Sequence, residues 1–431
     1  MLANFNFEAH AEYLAAAPHP QMEQSTEEIG PYKLNRWLCL GKTAYGHDKE
    51  TLEHVYIKTE KASALIEWEV STLQKLSGGI GIPSLRWSGT VDGQKVIVTD
   101  GFGPFLEELF DRCSRFFGVY TLALLADQML SRLEWMHSRH ISHGNLSPSS
   151  FAVGNMSWQM PQLILADLGN ANISNLSSKR DLEAVGNIIF YLSSGSKSWE
   201  DFRTQNGMGQ TLSDPLRSYF AAISESKLRP TDYGRLRQIF RNTCQTSSTI
   251  ALINDLIIPQ ANRPNLKCLA TASTGDLFEV LGSKLSAVGG KASHLMTPWK
   301  YEHGAYLLRC LNDILAVYTV LLIRDRPSRT RKLYLVGAYH LPNRLWRDLR
   351  WYISAARNGS TAFQEAIILN IYKFMGLMLE MVPCYDAYWT SYLLDLTCIL
   401  IDLRLNPSEA WESVRIYWRG RAEALGEKNV L

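Results

Sequence analysis

The chain has 431 residues, 46% of them hydrophobic, and a formal net charge of +2. That length suits two or three domains with a sizeable core, and so small a charge excludes a global polyanion binder. Seven cysteines without C-x-x-C spacing argue against zinc and a secreted disulfide frame, and Met1 to Phe5 lacks the features of a signal peptide, so a cytoplasmic or nuclear chain with reduced thiols is expected.

Residues 1–30 are polar and short of core formers past Tyr13, which predicts a mobile arm with at most a short helix at 6–16. Val55 to Lys58 and Lys95 to Val98 are β-branched runs suited to strands. Between them Ile66, Val70, Leu73 and Leu76 recur at helical spacing. From Leu122 to His137, apolar residues at 122, 125, 126, 129, 130, 133 and 136 form a wide stripe, the mark of a buried helix.

Five stretches then carry a likeness: GGIGIPSLRW (78–87), GPFLEELFDRCSRFF (103–117), LLADQMLSRLEWMHSRHISHGN (124–145), SKRDLEAVGNIIFYL (178–192) and LRQIFRN (236–242). In this order and spacing the chain resembles the casein kinase 1 family over roughly residues 30–245. The resemblance implies an α+β, bilobal protein-kinase-like fold, with a small antiparallel β N-lobe over 31–100 and a helical C-lobe over 101–245.

On that alignment, His143 to Ser150 stand at the catalytic loop, whose pattern is H-R-D-x-K-x-x-N. Its Asp takes the substrate proton, its Lys steadies the phosphate and its Asn holds a metal ion. Asn145, Ser147 and Ser150 occupy those slots. An amide is no carboxylate base, and a serine hydroxyl carries no fixed positive charge. The family's three glycines of the phosphate loop fall on Cys39, Gly41 and Ala44, so side chains obstruct the approach of backbone amides to phosphate.

Lys58 stands at the strand lysine and Glu69 at its helical glutamate, with Glu67 as the register alternative; Asp167 opens Asp167-Leu168-Gly169 at D-F-G. These three either bind nucleotide, with Asp167 holding magnesium, or remain as structural relics: a strand–helix ion pair and a cap on local amides. His143 reads as core packing. Asp181 aligns with the aspartate that braces the catalytic loop. Only Leu168 to Arg180 separate Asp167 from Asp181, far too few residues for an activation segment and peptide platform. Leu146, Phe151, Ile173 and Leu176 are therefore expected beside an uncovered groove.

Residues 246–300 hold Ser/Thr runs, Pro259, Pro264 and Gly289-Gly290, and read as connecting helices and loops. The remainder, 301–431, reads as an all-α bundle or helical-repeat domain. Its candidate helices are 301–324, 331–340, 343–357, 361–381, 385–404 and 408–424, broken at Pro327, Pro342, Gly359, Pro383 and Pro407. Polar residues within the apolar run 305–323 predict a buried helix, so no membrane partner is expected.

From Arg324 to Arg357 nine basic residues face two acids. Arg331, Lys332, Arg344, Arg347 and Arg350 are interleaved with Trp346 and Trp351, and the last three arginines share a side of a helix begun at 343. Such a region can grip nucleic acid, grip an acidic protein partner, or pair with its own fold. Trp299, Trp346, Trp351, Trp389, Trp411 and Trp418 read mainly as staples of a helical core. The function expected is a pseudokinase without catalytic activity, a protein-binding scaffold or allosteric regulatory subunit that needs no cofactor. The alternatives are an ATP-sensing switch or atypical nucleotide transferase using Lys58 and Asp167, and a nucleic-acid module centred on 324–357.

Overall fold

Burial alternates along β4 (His54–Glu60), where Val55, Ile57 and Thr59 point inward, because successive side chains of a strand face opposite ways. The computed structural model describes residues 27–39, 42–60, 63–169, 178–197, 214–224, 232–244, 269, 272–292, 301–324, 340–403 and 408–428. Its N-terminal sheet is antiparallel with strand order β1-β2-β3-β4-β6-β5. The other members are β1 (Glu28–Ile29), β2 (Tyr32–Cys39), β3 (Thr43–Asp48), β5 (Leu85–Val91) and β6 (Gln94–Asp100). The two expected strands are β4 and β6, paired with Ile57 opposite Val98. The sheet already begins at Glu28, inside the segment expected to be a mobile arm, because Ile29 is buried in the sheet core beside Tyr32.

Helix α1 (Ser63–Leu76) connects β4 to β5. A helical part follows: α2 (Leu106–Arg112), α3 (Val119–Ser138), α4 (Ser178–Ser194), α5 (Asp214–Ser224) and α6 (Tyr233–Cys244). A two-stranded sheet, β7 (Phe151–Val153) with β8 (Leu163–Leu165), lies between α3 and α4 in the chain. The molecule is thus mixed α+β, with its antiparallel sheet at the N-terminal end and helices over most of the rest.

Beyond α7 (Thr274–Ala292) come α8 (Tyr301–Arg324), α9 (Leu341–Ala356), α10 (Thr361–Met381), α11 (Asp386–Asp402) and α12 (Ser408–Lys428). Their ends follow local chemistry: Pro342 sits in the first turn of α9, and the Ser360 hydroxyl caps α10 by accepting from the Phe363 amide at 3.3 Å. The expected helix 331–340 lies almost wholly outside the described residues, as do Arg331, Lys332 and Trp299.

The apolar core of these helices is shared with the earlier elements. One apolar core runs from Leu73 on α1 through Leu130 on α3 to Leu377 on α10 and Trp418 on α12. Stretches of α8 and α10 are long and apolar enough to cross a membrane by composition, but about three quarters of each is buried, as in core helices.

Candidate functional site

Lys58 and Glu69 meet as expected. The Lys58 ammonium donates to Glu69 Oε2 at 2.7 Å, bridging β4 and α1. Glu67, the register alternative, instead reaches Lys95 at 3.5 Å on the exposed side. Burial would lower the Lys58 pKa, but Glu69, and then Asp167, outweigh it and hold the ammonium above its ordinary range. The Glu69 carboxyl is held above its ordinary range, because burial pushes it up by more than Lys58, at 2.7 Å, and the Leu168 amide pull it down. Asp167 accepts from the Gly169 amide at 3.3 Å, a local cap. Gly41 lies outside the described residues.

The 143–150 loop is held from beneath. Asp181, in the first turn of α4, accepts from the His143 and Gly144 amides, each at 2.7 Å, and from His137 at 3.0 Å. Burial would raise this carboxyl, but His137 and the two amides outweigh it and keep it below the ordinary carboxylate range. His143 is fully buried, and its Nε2 meets the Asp167 carbonyl at 2.7 Å, in line with a packing role.

At the loop's outer end Asn145 is exposed. The Ser150 hydroxyl accepts from the Ser147 amide at 3.1 Å and lies 3.4 Å from the Ser147 hydroxyl. The two serines therefore close a short 3₁₀ turn upon themselves.

The expected uncovered groove does not form at Leu146 and Phe151, which are 5% and 0% exposed. Both residues belong to the main core instead, so that apolar surface is already spent. Ile173 and Leu176 lie outside the described residues.

The basic surface differs from expectation as well. Arg344 does not share an exposed face with Arg347 and Arg350; it is half-buried over the Phe278 ring at 5.6 Å. Packing of α9 on α8 turns a different stripe outward: Arg347, Arg350 and Arg357. Trp346 stacks on Tyr392 with ring centres 4.6 Å apart, and Trp351 meets Tyr352 edge-on at 5.1 Å. Both rings serve packing, as do the buried Trp389, Trp411 and Trp418.

What sequence reasoning missed is a polar seam along α10. Asn370 donates to Glu53 Oε1 at 2.7 Å. Lys373 pairs with Asp100 at 2.8 Å, and Asp100 also accepts from Arg86 at 2.6 Å. The Tyr372 hydroxyl donates to the Gly78 carbonyl at 2.7 Å. The middle of the helix thus grips the N-terminal sheet and its edges.

Near the C-terminal end of α10 Glu380 pairs with Arg132 of α3, and the two side chains are 2% and 0% exposed. A single helix, about 30 Å long for 21 residues, ties sheet and helical part together. Gly78, with φ +75°, and Gly81, with φ +70°, lie where a Cβ would strike Val414 of α12 at 2.6 Å and the Arg132 guanidinium of α3 at 2.3 Å, so the turn fits between α12 and α3 only with glycine at both positions. The available signal was three polar residues, 370, 373 and 380, recurring on one side of an apolar helix.

Behind Glu380 is a cavity of about 170 Å³ bordered by Glu134, Arg237, Arg241, Glu380, Asp386 and Arg421. Three acids face three arginines there, so the lining is balanced in charge. Among the described residues, no cluster of histidine, cysteine and acidic side chains could hold a metal ion. No family model matches the chain.

Proposed function

We propose that this chain is a catalytically inactive protein of the casein kinase 1-like group, a pseudokinase that works as a protein-binding scaffold or allosteric regulatory subunit. The observation that carries the reading is at position 145. Asp181 ties the backbone just before it with both carboxylate oxygens, so the loop is braced as a catalytic loop must be. The side chain that this brace presents outward is an amide, Asn145, which cannot take a proton from a substrate hydroxyl. The thirteen residues from Leu168 to Arg180 leave no length for a peptide platform, and positioning is most of phosphoryl-transfer catalysis.

A partner fits best on the outward stripe of α9. Arg347, with its side chain 75% exposed, lies with Arg350 and Arg357 on a solvent face suited to an acidic protein segment. The nucleic-acid reading has less support, since the neighbouring Trp346 and Trp351 rings are taken by Tyr392 and Tyr352. An ATP-sensing switch or nucleotide transferase has the Lys58–Glu69 pair and Asp167 in its favour.

Incubation of the full chain with γ-labelled and α-labelled ATP over a panel of protein substrates tests the main reading. The expected outcome is no transfer of either label; transfer that disappears in Asp167→Ala would overturn it.

A further inference from the structure

The cleft beside Lys58 contains side chains where a nucleotide's base would have to go. Tyr56 lies two residues before Lys58 on β4, so both project to the same face, about 7 Å apart along the strand. Tyr56 feels the charges of Lys58, Glu69 and Asp167, which places its hydroxyl end on their side of the sheet.

Its ring does not stand alone. Tyr45, its cross-strand neighbour on β3, meets it edge-on at 5.6 Å. Phe102, in the segment leaving the sheet, lies against it at 4.5 Å with a 37° tilt. Phe105 follows edge-on to Phe102 at 5.5 Å. Phe102 also packs on Ala152 of β7 and Ile164 of β8. The rings form a continuous bridge from the N-terminal sheet to the two-stranded sheet.

A nucleotide with its phosphates at Lys58 and its base between the two sheets would have that base on Tyr56, one pleat repeat from Lys58 along β4. The base of a bound nucleotide would be a flat aromatic filling between the two sheets, and here Tyr56, Phe102 and Tyr45 already provide that filling.

We propose that Tyr56, backed by Phe102 and Tyr45, is a built-in plug that excludes purine nucleotides from the cleft beside Lys58. This rests on the reading of that cleft as a lost nucleotide site. The Lys58–Glu69 pair then orders α1 without any ligand, and the lobes keep one arrangement whether or not ATP is present.

The test uses the full chain, its Tyr56→Ala and Tyr56→Phe variants, and three probes: adenosine, magnesium-ATP and phenol. The readouts are the thermal midpoint and titration calorimetry. Tyr56→Ala deletes a phenol-sized volume, so its midpoint should fall by several degrees and recover saturably with phenol or adenosine, since a ligand that binds only the folded state stabilises it. The natural chain and Tyr56→Phe should respond to none of the probes at millimolar concentration.

Saturable binding of adenosine or magnesium-ATP by the natural chain overturns the plug. So does a folded Tyr56→Ala that answers to neither phenol nor adenosine. Should Tyr56→Ala not fold, Tyr56→Val is put through the same probes under the same criteria. Nucleotide binding without transfer would remove the plug and leave the non-catalytic reading intact; labelled-phosphate transfer would strike that reading itself.

Discussion

Replacing Glu380 by Gln probes the joint between α10 and the rest of the molecule. Arg132 is fully buried and Glu380 is its carboxylate partner. The guanidinium also donates to the Leu163 carbonyl, from Nε at 3.0 Å and from Nη2 at 2.6 Å, and to Gln128 Oε1 at 3.1 Å. Those acceptors are neutral, so the substitution leaves a buried cation without its counter-charge. Burial already lowers the Arg132 pKa despite Glu380, so the loss of water around the guanidinium outweighs the attraction of its partner.

Removing one partner of such a pair costs about 3–5 kcal/mol. The Gln oxygen can still accept one hydrogen bond, which puts the expected loss near the lower end, about 3 kcal/mol, out of the ~5–15 kcal/mol typical of a native chain. Glu380 Oε2, which has no hydrogen-bond partner among the described residues, adds nothing to that loss.

Urea denaturation followed by far-ultraviolet circular dichroism and by tryptophan emission measures the loss. The emission sums over the chain's twelve tryptophans, among them the buried Trp135 on α3 and Trp411 and Trp418 on α12. Because the core is continuous, both probes should move together to lower urea with an unchanged slope. A Glu380→Gln midpoint indistinguishable from that of the natural chain would refute the argument that this pair ties the helices to the fold.

Gly78→Ala should destabilise by at least about 1 kcal/mol, from the left-handed backbone and the approach to Val414, and should increase proteolysis of α12; unchanged proteolysis counts against the docking of α12 there. Lys58→Met should cost about 1–3 kcal/mol by stranding the buried Glu69 carboxylate, and adding Glu69→Leu should restore most of it in urea melts; failure of the double variant to recover would mean the pair is not the cause. The Asp181 carboxyl is held below its unfolded value of about 3.9, so its contribution is present above that pH and is lost as pH falls through the depressed folded value. Stability measured from pH 6 down to pH 2 should therefore drop through the acid range, and Asp181→Asn, less stable at pH 6, should show a shallower drop; an equally steep limb would assign the acid loss to other carboxylates, such as the arginine-paired Asp127. Replacing Arg347, Arg350 and Arg357 together by Glu should change the stability measured in urea by no more than about 1.5 kcal/mol, about 0.5 for each exposed site, and should abolish salt-sensitive capture of an acidic partner; a larger loss would show that the stripe is used internally.

Local chemistry in the sequence determined much of this protein. The β-branched runs Val55 to Lys58 and Lys95 to Val98 specified β4 and β6, because branched side chains pack well on a pleated, buried surface. The stripe from Leu122 to Met136 specified α3, and proline and glycine marked the ends of α9 to α12. Asn145, Ser147 and Ser150 could be read directly as an amide and two hydroxyls, groups that are neither carboxylate bases nor fixed positive charges. Periodicity tells which face of an element is apolar, but not what that face meets. The tertiary structure alone decided that Phe102 crosses to Tyr56 and that Arg344 turns in to Phe278 while Arg357 turns out. It also decided the pairing of Arg132 with Glu380, 248 residues apart in the chain. Such a contact depends on two helices crossing at one angle and one depth, and no local pattern near either residue encodes that crossing.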